Sequence, residues 1–261
     1  MDLSGSVVAI TGASAGIGLA AARAFSREGA QVAVAARRKD RLEALVKEIE
    51  TAGRKALAVE ADVSIEAEAR HFVDETVRTF GRLDVMINNA GFGIRGRVEE
   101  TPAADFERLM KTNFMGTVYG CQAALKHMRL RNQGVILNVS SIVGHRSMPG
   151  GSAYGASKAA QISLTESLRV ELRGTGIQVM SVHPIATVTE FSAVALKESG
   201  GRKGAPVGPV QTAEQVAEAM VRAVRHPRPE VHPYPLARVL VALNAMFPSF
   251  IDRWAGRAAK S

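Results

Sequence analysis

Tyr154 and Lys158 are the two residues whose types and spacing most directly suggest chemistry. They stand four positions apart in the segment Tyr-Gly-Ala-Ser-Lys. Apolar residues recur after them at helical spacing, so both side chains lie on one face of a predicted helix. A phenol titrates at a pKa of about 10, too high for proton transfer at neutral pH. Because a nearby ammonium stabilises the phenolate and lowers that pKa, the pair predicts a general acid/base.

A glycine-rich turn near the N-terminus predicts a dinucleotide site. The apolar residues 7–10 predict a buried strand, and a strong helix former begins at Leu19. Glycines between them let the backbone approach a pyrophosphate, and the helix N-terminus offers unpaired N–H groups to its charge. The turn residues expected to bind the cofactor are Gly12, Ser14, Ala15, Gly16, Ile17 and Gly18.

Composition indicates a globular protein that works on small molecules. The 261 residues are 46% hydrophobic and 22% charged, which is ordinary for one α/β domain. The net charge of +8 is spread along the chain with no basic run interleaved with aromatics, so no nucleic-acid partner is predicted. The six histidines show no metal-ligand spacing, and no metal site is predicted.

The expected location is the cytoplasm. The first residues lack the basic and apolar regions of a signal peptide, and no apolar run is long enough to span a membrane. The single cysteine, Cys121, excludes an internal disulfide, and its helical surroundings predict a core position.

Short apolar segments alternate with helical patterns along most of the chain. They predict an α/β fold: a single-domain, Rossmann-type, doubly wound parallel sheet of about seven strands with helices on both faces. Right-handed crossovers place the motif-bearing loops at the carboxyl ends of the strands. Strands are expected at 7–11, 31–36, 55–61, 83–88, 134–139, 178–183 and 230–232. Helices are expected at 16–28, 39–52, 65–80, 102–111, 114–131, 154–173 and 212–225. Residues 1–235 form the cofactor-binding and catalytic domain, and 236–261 a helical extension of it.

Two segments fit this pattern poorly. Residues 198–209 are rich in glycine and predict a loop, either a mobile lid or a plain surface loop. Beyond them, apolar residues from Leu236 to Phe247 form one helical stripe, which Pro248 interrupts. The stripe has three interpretations: packing on its own domain, a subunit contact, or a membrane-surface contact.

Three further motifs complete the pattern. Asn-Asn-Ala-Gly occupies 88–91, Asn113 lies in Lys-Thr-Asn-Phe-Met-Gly, and Ser140-Ser141 ends a predicted strand. With the glycine turn and the Tyr-Lys pair, in this order and spacing, the chain closely resembles the short-chain dehydrogenase/reductase family in its single-domain form. The resemblance covers roughly residues 5 to 232.

The resemblance implies a catalytic set. Tyr154 is the acid in carbonyl reduction and the base in the reverse direction. Ser141 positions the carbonyl, since the family places its serine 13 residues before the tyrosine; Ser140 is the alternative. Lys158 would depress the pKa of Tyr154 and hold the ribose hydroxyls, and Asn113 would anchor a water that links Lys158 to solvent.

The end of the second strand bears on cofactor choice. Ala36 stands where relatives that use NAD commonly have an aspartate, and Arg37, Arg38 and Lys39 follow it. A guanidinium suits a 2′-phosphate in charge and geometry, so NADP is expected over NAD, with Arg37 as first choice and Arg38 as second. The family also implies cofactor contacts from Asp62, Val63, Asn89, Gly91, Thr187 and Thr189. Ile185 replaces a family glycine ahead of the two threonines, which departs from the pattern.

The resemblance thus implies an NADP(H)-dependent oxidoreductase acting on CH–OH donors and the corresponding carbonyls, assembled as a homodimer or homotetramer. An apolar substrate pocket is expected among Phe92, Ile94, Ile142, Val143, Met148 and Phe191. The alternative is an NADP-binding scaffold or sensor without turnover.

Overall fold

The protein is described here from a computed structural model that covers residues 1–202 and 208–258. Seven strands form one parallel sheet in the order β3-β2-β1-β4-β5-β6-β9. This is the doubly wound arrangement that the alternating pattern predicts, and the expected fold class is confirmed. The loop expected over 198–209 lies partly outside the described residues, at 203–207.

The strands fall close to their predicted bounds because each is a short apolar run. All residues of β1, β4 and β5 are buried, as expected for strands covered on both faces. The strands of the sheet are β1 (Val7–Thr11), β2 (Gln31–Ala36), β3 (Ala56–Glu60), β4 (Val85–Asn88), β5 (Gly134–Val139), β6 (Ile177–Val182) and β9 (Glu230–Val231).

Helices cover both faces of the sheet and also follow the predicted pattern. They are α1 (Gly16–Arg27), α2 (Lys39–Thr51), α3 (Glu66–Phe80), α4 (Ala103–Leu109), α5 (Gly116–Arg131), α6 (Ser152–Glu171), α7 (Phe191–Glu198), α8 (Ala213–Arg225), α9 (Ala237–Met246) and α10 (Pro248–Ala258). Of these, α7 was not predicted, because its eight residues are too few to give a clear helical period.

Alternating side chains of each strand supply two separate cores. In β1, Val8 and Ile10 point towards α1, α2 and α8, whereas Ala9 points towards α3, α5 and α6. The large buried side chains Phe25 and Phe72 fill the two cores from α1 and α3. Burying an aromatic side chain of this size contributes about 2 to 3 kcal/mol, so both cores stabilise the sheet between its helix layers.

The strand order reverses between β1 and β4. β1 pairs with β2 on one side and with β4 on the other, and all three run parallel. In open α/β sheets the loops that leave the carboxyl ends at such a reversal diverge and open a crevice. The glycine turn after β1 and the Asn-Asn-Ala-Gly motif after β4 therefore both lie at this reversal, where they contact each other.

Two local features depart from the predicted elements. A π-helical segment, Met110–Met115, joins α4 to α5, so the two predicted helices run on with Asn113 in the wide turn between them. A short parallel pair, β7 (Ala186–Val188) and β8 (Val210–Thr212), forms outside the main sheet. Three-residue strands have no period that a sequence reading could detect.

The C-terminal stripe is the clearest surprise. Leu236, Val239 and Phe247 are 62%, 54% and 57% exposed. Packing against their own domain is therefore the wrong interpretation for these side chains. Buried Ala237 and Ile251 and an ion pair between Arg146 and Asp252 still attach α9 and α10 to the domain. Among the described residues, no helix combines the length and the apolar character needed to cross a membrane.

Candidate active site

The glycine turn after β1 has a shape that only glycines permit. A Cβ on Gly18 would lie 2.4 Å from the Gly12 carbonyl oxygen and 2.6 Å from the Asn89 side-chain nitrogen. Gly12 has a φ of +69°, and a Cβ there would lie 2.7 Å from the Ala90 backbone. The glycines thus let the turn fold tightly against itself and against Asn89 and Ala90, at the predicted phosphate-binding position.

The N-terminus of α1 opens into this turn without a competing group. Ala15 precedes the helix in an extended conformation, and neither a capping side chain nor an acidic residue occupies the first turn. The first N–H groups of the helix are then available to an anion. The residues present fit a dinucleotide pyrophosphate.

Arg38 borders the turn, and Arg37 does not. The Arg38 guanidinium donates from Nε and Nη2 to Ser14 Oγ at 3.1 and 2.9 Å, and its Nη1 lies 2.9 Å from Glu190. The Arg37 side chain is 77% exposed, with Asp62 3.9 Å away. The structure therefore places the second choice for the phosphate ligand against the turn and the first choice in solvent beside it.

The residues after β3 and β4 mainly hold the turn in place. The Asn89 side chain donates to the Thr11 carbonyl at 2.9 Å, and its backbone N–H donates to Thr11 Oγ1 at 3.0 Å. Asp62 accepts from the Ser64 backbone N–H at 2.9 Å, and Val63 is buried. These contacts explain why polar residues stand at these positions, and their predicted contacts with a cofactor stay predictions.

Two threonines close the turn from the opposite side. A Cβ on Gly16 would lie 3.0 Å from the Thr189 side chain, so Thr189 reaches the glycine turn. Thr187, in β7, donates to the Ile185 carbonyl at 2.8 Å. The β7–β8 pair fixes this segment despite the isoleucine that departs from the family pattern.

Ser141 and Tyr154 come together at the end of β5. Ser141 begins the short turn Ile142–Gly144, and its hydroxyl lies 3.4 Å from the Pro184 carbonyl. Tyr154 lies in the first turn of α6, half-buried, with Phe191 at a ring-centroid distance of 5.4 Å. Burial raises the pKa of Tyr154, and a hydrogen bond with the Ser141 hydroxyl opposes that shift. By contrast, Ser140 Oγ donates to the Lys158 carbonyl at 2.8 Å and is fully engaged in the core.

The Lys158 amine lies beside the phenol ring but donates elsewhere. Its Nζ is 5.7 Å from the Tyr154 ring centroid and donates to the Val139 carbonyl at 2.9 Å and to Gln161 Oε1 at 2.8 Å. Burial lowers the pKa of Lys158 to about 7. The expected lowering of the Tyr154 pKa by Lys158 is not seen here, because burial raises that pKa and the Lys158 amine donates its hydrogen bonds elsewhere.

Asn113 is joined to Lys158 by protein atoms. Its side chain is fully buried and pairs with the Phe92 backbone through hydrogen bonds of 3.0 Å in both directions. Its backbone carbonyl accepts from Gln161 Nε2 at 2.8 Å. Gln161 thus bridges Lys158 and Asn113, and the water expected to link Lys158 to solvent stays a prediction. A glutamine inside a helix gives no sequence signal for this, because the contact joins α6 to the π-helical turn.

The apolar side of the site differs in part from its predicted lining. Ile94 is 2% exposed and packs with Leu109 and Ala153, so it belongs to a small core beneath the site. Phe191 lies against Tyr154 and is partly exposed, and Phe92 lies beneath the Arg108 guanidinium at 5.5 Å. The two phenylalanines remain candidates to contact an apolar substrate.

Comparison with known families identifies the class of this arrangement. The family model for short chain dehydrogenase matches residues 6–199, which include the glycine turn, the catalytic set and α6. The chain is also 35% identical over 250 residues to the uncharacterised oxidoreductase YxnA of Bacillus subtilis, covering 95% of this chain and 70% of that one. The chain belongs to the short-chain dehydrogenase family of oxidoreductases.

Solved structures of similar shape agree. A short-chain dehydrogenase/reductase of Burkholderia phymatum in complex with NAD has a TM-score of 0.87 at 26% identity, over 96% of each chain. An alcohol dehydrogenase of Thermococcus sibiricus complexed with 5-hydroxy-NADP has a TM-score of 0.77 at 30% identity, over 87% of this chain and 95% of that one. The two structures hold different nicotinamide dinucleotides, so similarity alone does not distinguish NAD from NADP.

Proposed function

We propose that this protein is an NADP(H)-dependent oxidoreductase that interconverts an alcohol and its carbonyl, with Tyr154 as general acid/base. The observation that carries the proposal is that two features lie at the same edge of the sheet. A glycine-lined cradle follows β1, and the Ser141–Tyr154 hydroxyl pair with Lys158 follows β5. A Cβ on Gly91, between them, would lie 3.6 Å from Lys158 Nζ.

The cradle supports a bound dinucleotide. Gly12, Gly16 and Gly18 let the turn fold tightly, and the uncapped α1 offers N–H groups to the charge of a pyrophosphate. Arg38 and Arg37 would meet the 2′-phosphate of NADP, because β2 ends without the carboxylate that repels it. When bound, the reduced nicotinamide supplies the hydride that carbonyl reduction needs.

Side chains of the protein would stabilise the carbonyl oxygen and supply its proton. Negative charge develops on the carbonyl oxygen during reduction, and Ser141 would donate a hydrogen bond to it while Tyr154 gives the proton. Burial raises the pKa of Tyr154 and keeps its phenol protonated, so this weak acid gives up its proton only as charge develops on the carbonyl oxygen, which becomes the stronger base. Since the pKa of Lys158 is about 7, its amine can exchange a proton near neutrality, and Gln161 and Asn113 hold it in position.

The exposed stripe of α9 supports a homodimer or homotetramer. Apolar side chains of this size are usually covered, and the family resemblance favours an oligomer. The expected mass by light scattering is two or four chains, falling to one when Val239 and Leu240 are both changed to glutamate. A monomeric wild-type chain that binds lipid vesicles would instead favour the membrane-surface interpretation.

The experiment that tests the proposed function is a panel of carbonyl substrates followed by NADPH consumption and repeated with NADH. We expect oxidation of NADPH with at least one ketone or aldehyde and a lower kcat/KM with NADH. Binding of NADPH without turnover on any carbonyl would favour the scaffold alternative. Faster turnover with NADH would overturn the cofactor assignment alone.

A further inference from the structure

Three histidines and a glutamate meet beneath the loop that carries Ser141. His145 follows the turn Ile142–Gly144, His183 directly follows β6, and Glu230 and His232 lie in and just after β9. His145, His183 and the pair formed by Glu230 and His232 are 38 to 87 residues apart along the chain. Sequence spacing therefore gave no sign of a cluster, and the pairing of β6 with β9 brings it together.

The four side chains are close enough to share one ligand. The His145 and His183 ring centroids are 4.5 Å apart, and those of His183 and His232 are 4.8 Å apart. One potential ligand atom of each residue, Glu230 included, lies within 4.8 Å of those of the other three. No comparable group of histidine, cysteine or acidic side chains occurs elsewhere in the described part of the chain.

Each of the three rings has a buried nitrogen without a hydrogen-bond partner among the described residues. These atoms are His145 Nε2, His183 Nδ1 and His232 Nδ1. His183 is completely buried and His232 is 8% exposed. Buried polar atoms are paired in the great majority of cases, so three unpaired nitrogens in one cluster call for a common partner.

Two of the remaining ring nitrogens, those of His183 and His232, are anchored in the manner of metal ligands. Ser181 Oγ lies 2.8 Å from His183 Nε2, and Glu230 Oε2 lies 3.0 Å from His232 Nε2. Such a partner on the far nitrogen fixes ring orientation and leaves the other nitrogen directed at the ligand. A bound ion would compete with His232 for the Glu230 carboxylate or take its second oxygen.

The chemistry of the cluster also suits a cation, because three imidazoles and one carboxylate can each donate a lone pair to one ion.

We propose that His145, His183, Glu230 and His232 form a binding site for one divalent transition-metal ion, with zinc as the ion that fits best. Imidazole and carboxylate are ligands of zinc, and four of them make the closed tetrahedral set of a structural site. Ligand atoms about 2.0 to 2.1 Å from zinc are about 3.4 Å from one another. Side-chain rotations that draw the four atoms together by about 1.5 Å or less complete the site.

The site would connect the catalytic serine to the rest of the domain. The Ile142 backbone N–H donates to the Pro184 carbonyl at 3.0 Å, next to His183, and Asn244 of α9 donates to the His145 carbonyl at 3.5 Å. An ion held by His145 and His183 would therefore fix the Ser141 turn against β6 and β9. Its role is structural, because all four ligands come from the protein and none touches Tyr154 or Lys158.

The test is zinc binding by the full, untagged chain after treatment with a chelator and dialysis. We expect about one zinc per chain by elemental analysis after desalting. Saturating zinc should raise the unfolding midpoint by about 5 °C or more, since a ligand that binds only the folded state stabilises it. Magnesium at the same concentration should give no shift, because it prefers oxygen ligands.

Matched variants decide whether the cluster is the site. His145→Gln and Glu230→Gln should each weaken zinc binding at least tenfold and remove most of the midpoint shift. The control is His226→Gln, an exposed histidine outside the cluster, which should behave like wild type. Less than about 0.1 zinc per chain in wild type would overturn the proposal. So would equal binding in wild type and Glu230→Gln, whose partly exposed, isosteric side chain should not impair folding.

Discussion

The two sides of the crevice are formed by different kinds of groups. On the β1 side, the predicted cofactor cradle consists of backbone: glycines with close neighbours and the first N–H groups of α1. On the β5 side, the catalytic groups are buried side chains whose partners come from distant segments, as when Gln161 connects Lys158 to Asn113. The β1 side depends on glycines, which have no side chain, and the β5 side depends on a hydrogen-bond network.

This difference explains how each side can fail. Because the glycines of the cradle have close neighbours, a single added methyl group should displace the turn. A side-chain network can rearrange, but its buried charge makes it sensitive to pH. The pKa of Lys158, lowered to about 7, is the direct sign of that sensitivity.

On the backbone side, the largest effect is expected from Gly18→Ala. The new Cβ would lie 2.4 Å from the Gly12 carbonyl oxygen, so the turn must shift. We expect NADPH affinity to fall at least a hundredfold and the free energy of unfolding to fall by about 2 kcal/mol. Titration of NADPH fluorescence and denaturant unfolding measure the two quantities.

Gly256→Ala in α10 is the matched control. A Cβ there would meet no atom of the described residues within 4 Å. Affinity should be unchanged, and stability should rise slightly because alanine favours helix. If the two variants behaved alike, the cradle would not have the tight geometry described.

On the side-chain side, the stability of wild type relative to Lys158→Met should depend on pH. In the folded state the pKa of Lys158 is lowered to about 7 from its ordinary 10.5, so between these values only the unfolded chain binds the proton. Wild-type stability should therefore rise with pH relative to the variant, by about 3 kcal/mol from pH 7 to 9.5. Urea unfolding at both pH values measures it.

The exposed Lys47 provides the control, since it lies in solvent whether or not the chain is folded. The difference between wild type and Lys47→Met should stay constant over the same pH range. If the stability difference between wild type and Lys158→Met also stayed constant, the pKa of Lys158 would not be lowered in the folded state.

Cofactor choice should respond to the arginines at the edge of the cradle. Arg38→Gln and Arg37→Gln should each lower NADPH affinity about tenfold while leaving NADH affinity within about twofold, because only NADPH carries the 2′-phosphate. Arg41→Gln is the control: Arg41 shares Glu190 with Arg38 at 2.6 Å but makes no contact with Ser14. Equal losses for both cofactors would remove the case for a 2′-phosphate site.

The same division separates the features that the sequence predicts from those that it does not. The cradle and all seven strands of the main sheet could be predicted, because glycine spacing and apolar runs are local signals. Gln161 and the histidine cluster could not, because tertiary packing alone brings their partners together. The direction of the Tyr154 pKa was missed for a related reason: burial is a property of the packed site, while the i,i+4 spacing only places Lys158 nearby.

A smaller effect should sharpen the description of the network. In Gln161→Glu, a carboxylate would replace the amide oxygen 2.8 Å from Lys158 Nζ and favour the ammonium. The limb of the pH–rate profile that reflects Lys158 should move up by about one pH unit. Gln178→Glu, on an exposed position of β6, should leave the profile unchanged. If this limb did not move in Gln161→Glu, Lys158 would not be the group whose titration the limb reports.

The most direct test of the central claim is the turnover of Tyr154→Phe at matched NADPH saturation. The claim predicts an NADPH dissociation constant within about twofold of wild type and a kcat lower by about a thousandfold, because only the proton donor is lost. Tyr119→Phe on α5 should retain full activity. Turnover by Tyr154→Phe within tenfold of wild type would contradict the assignment of Tyr154 as general acid/base.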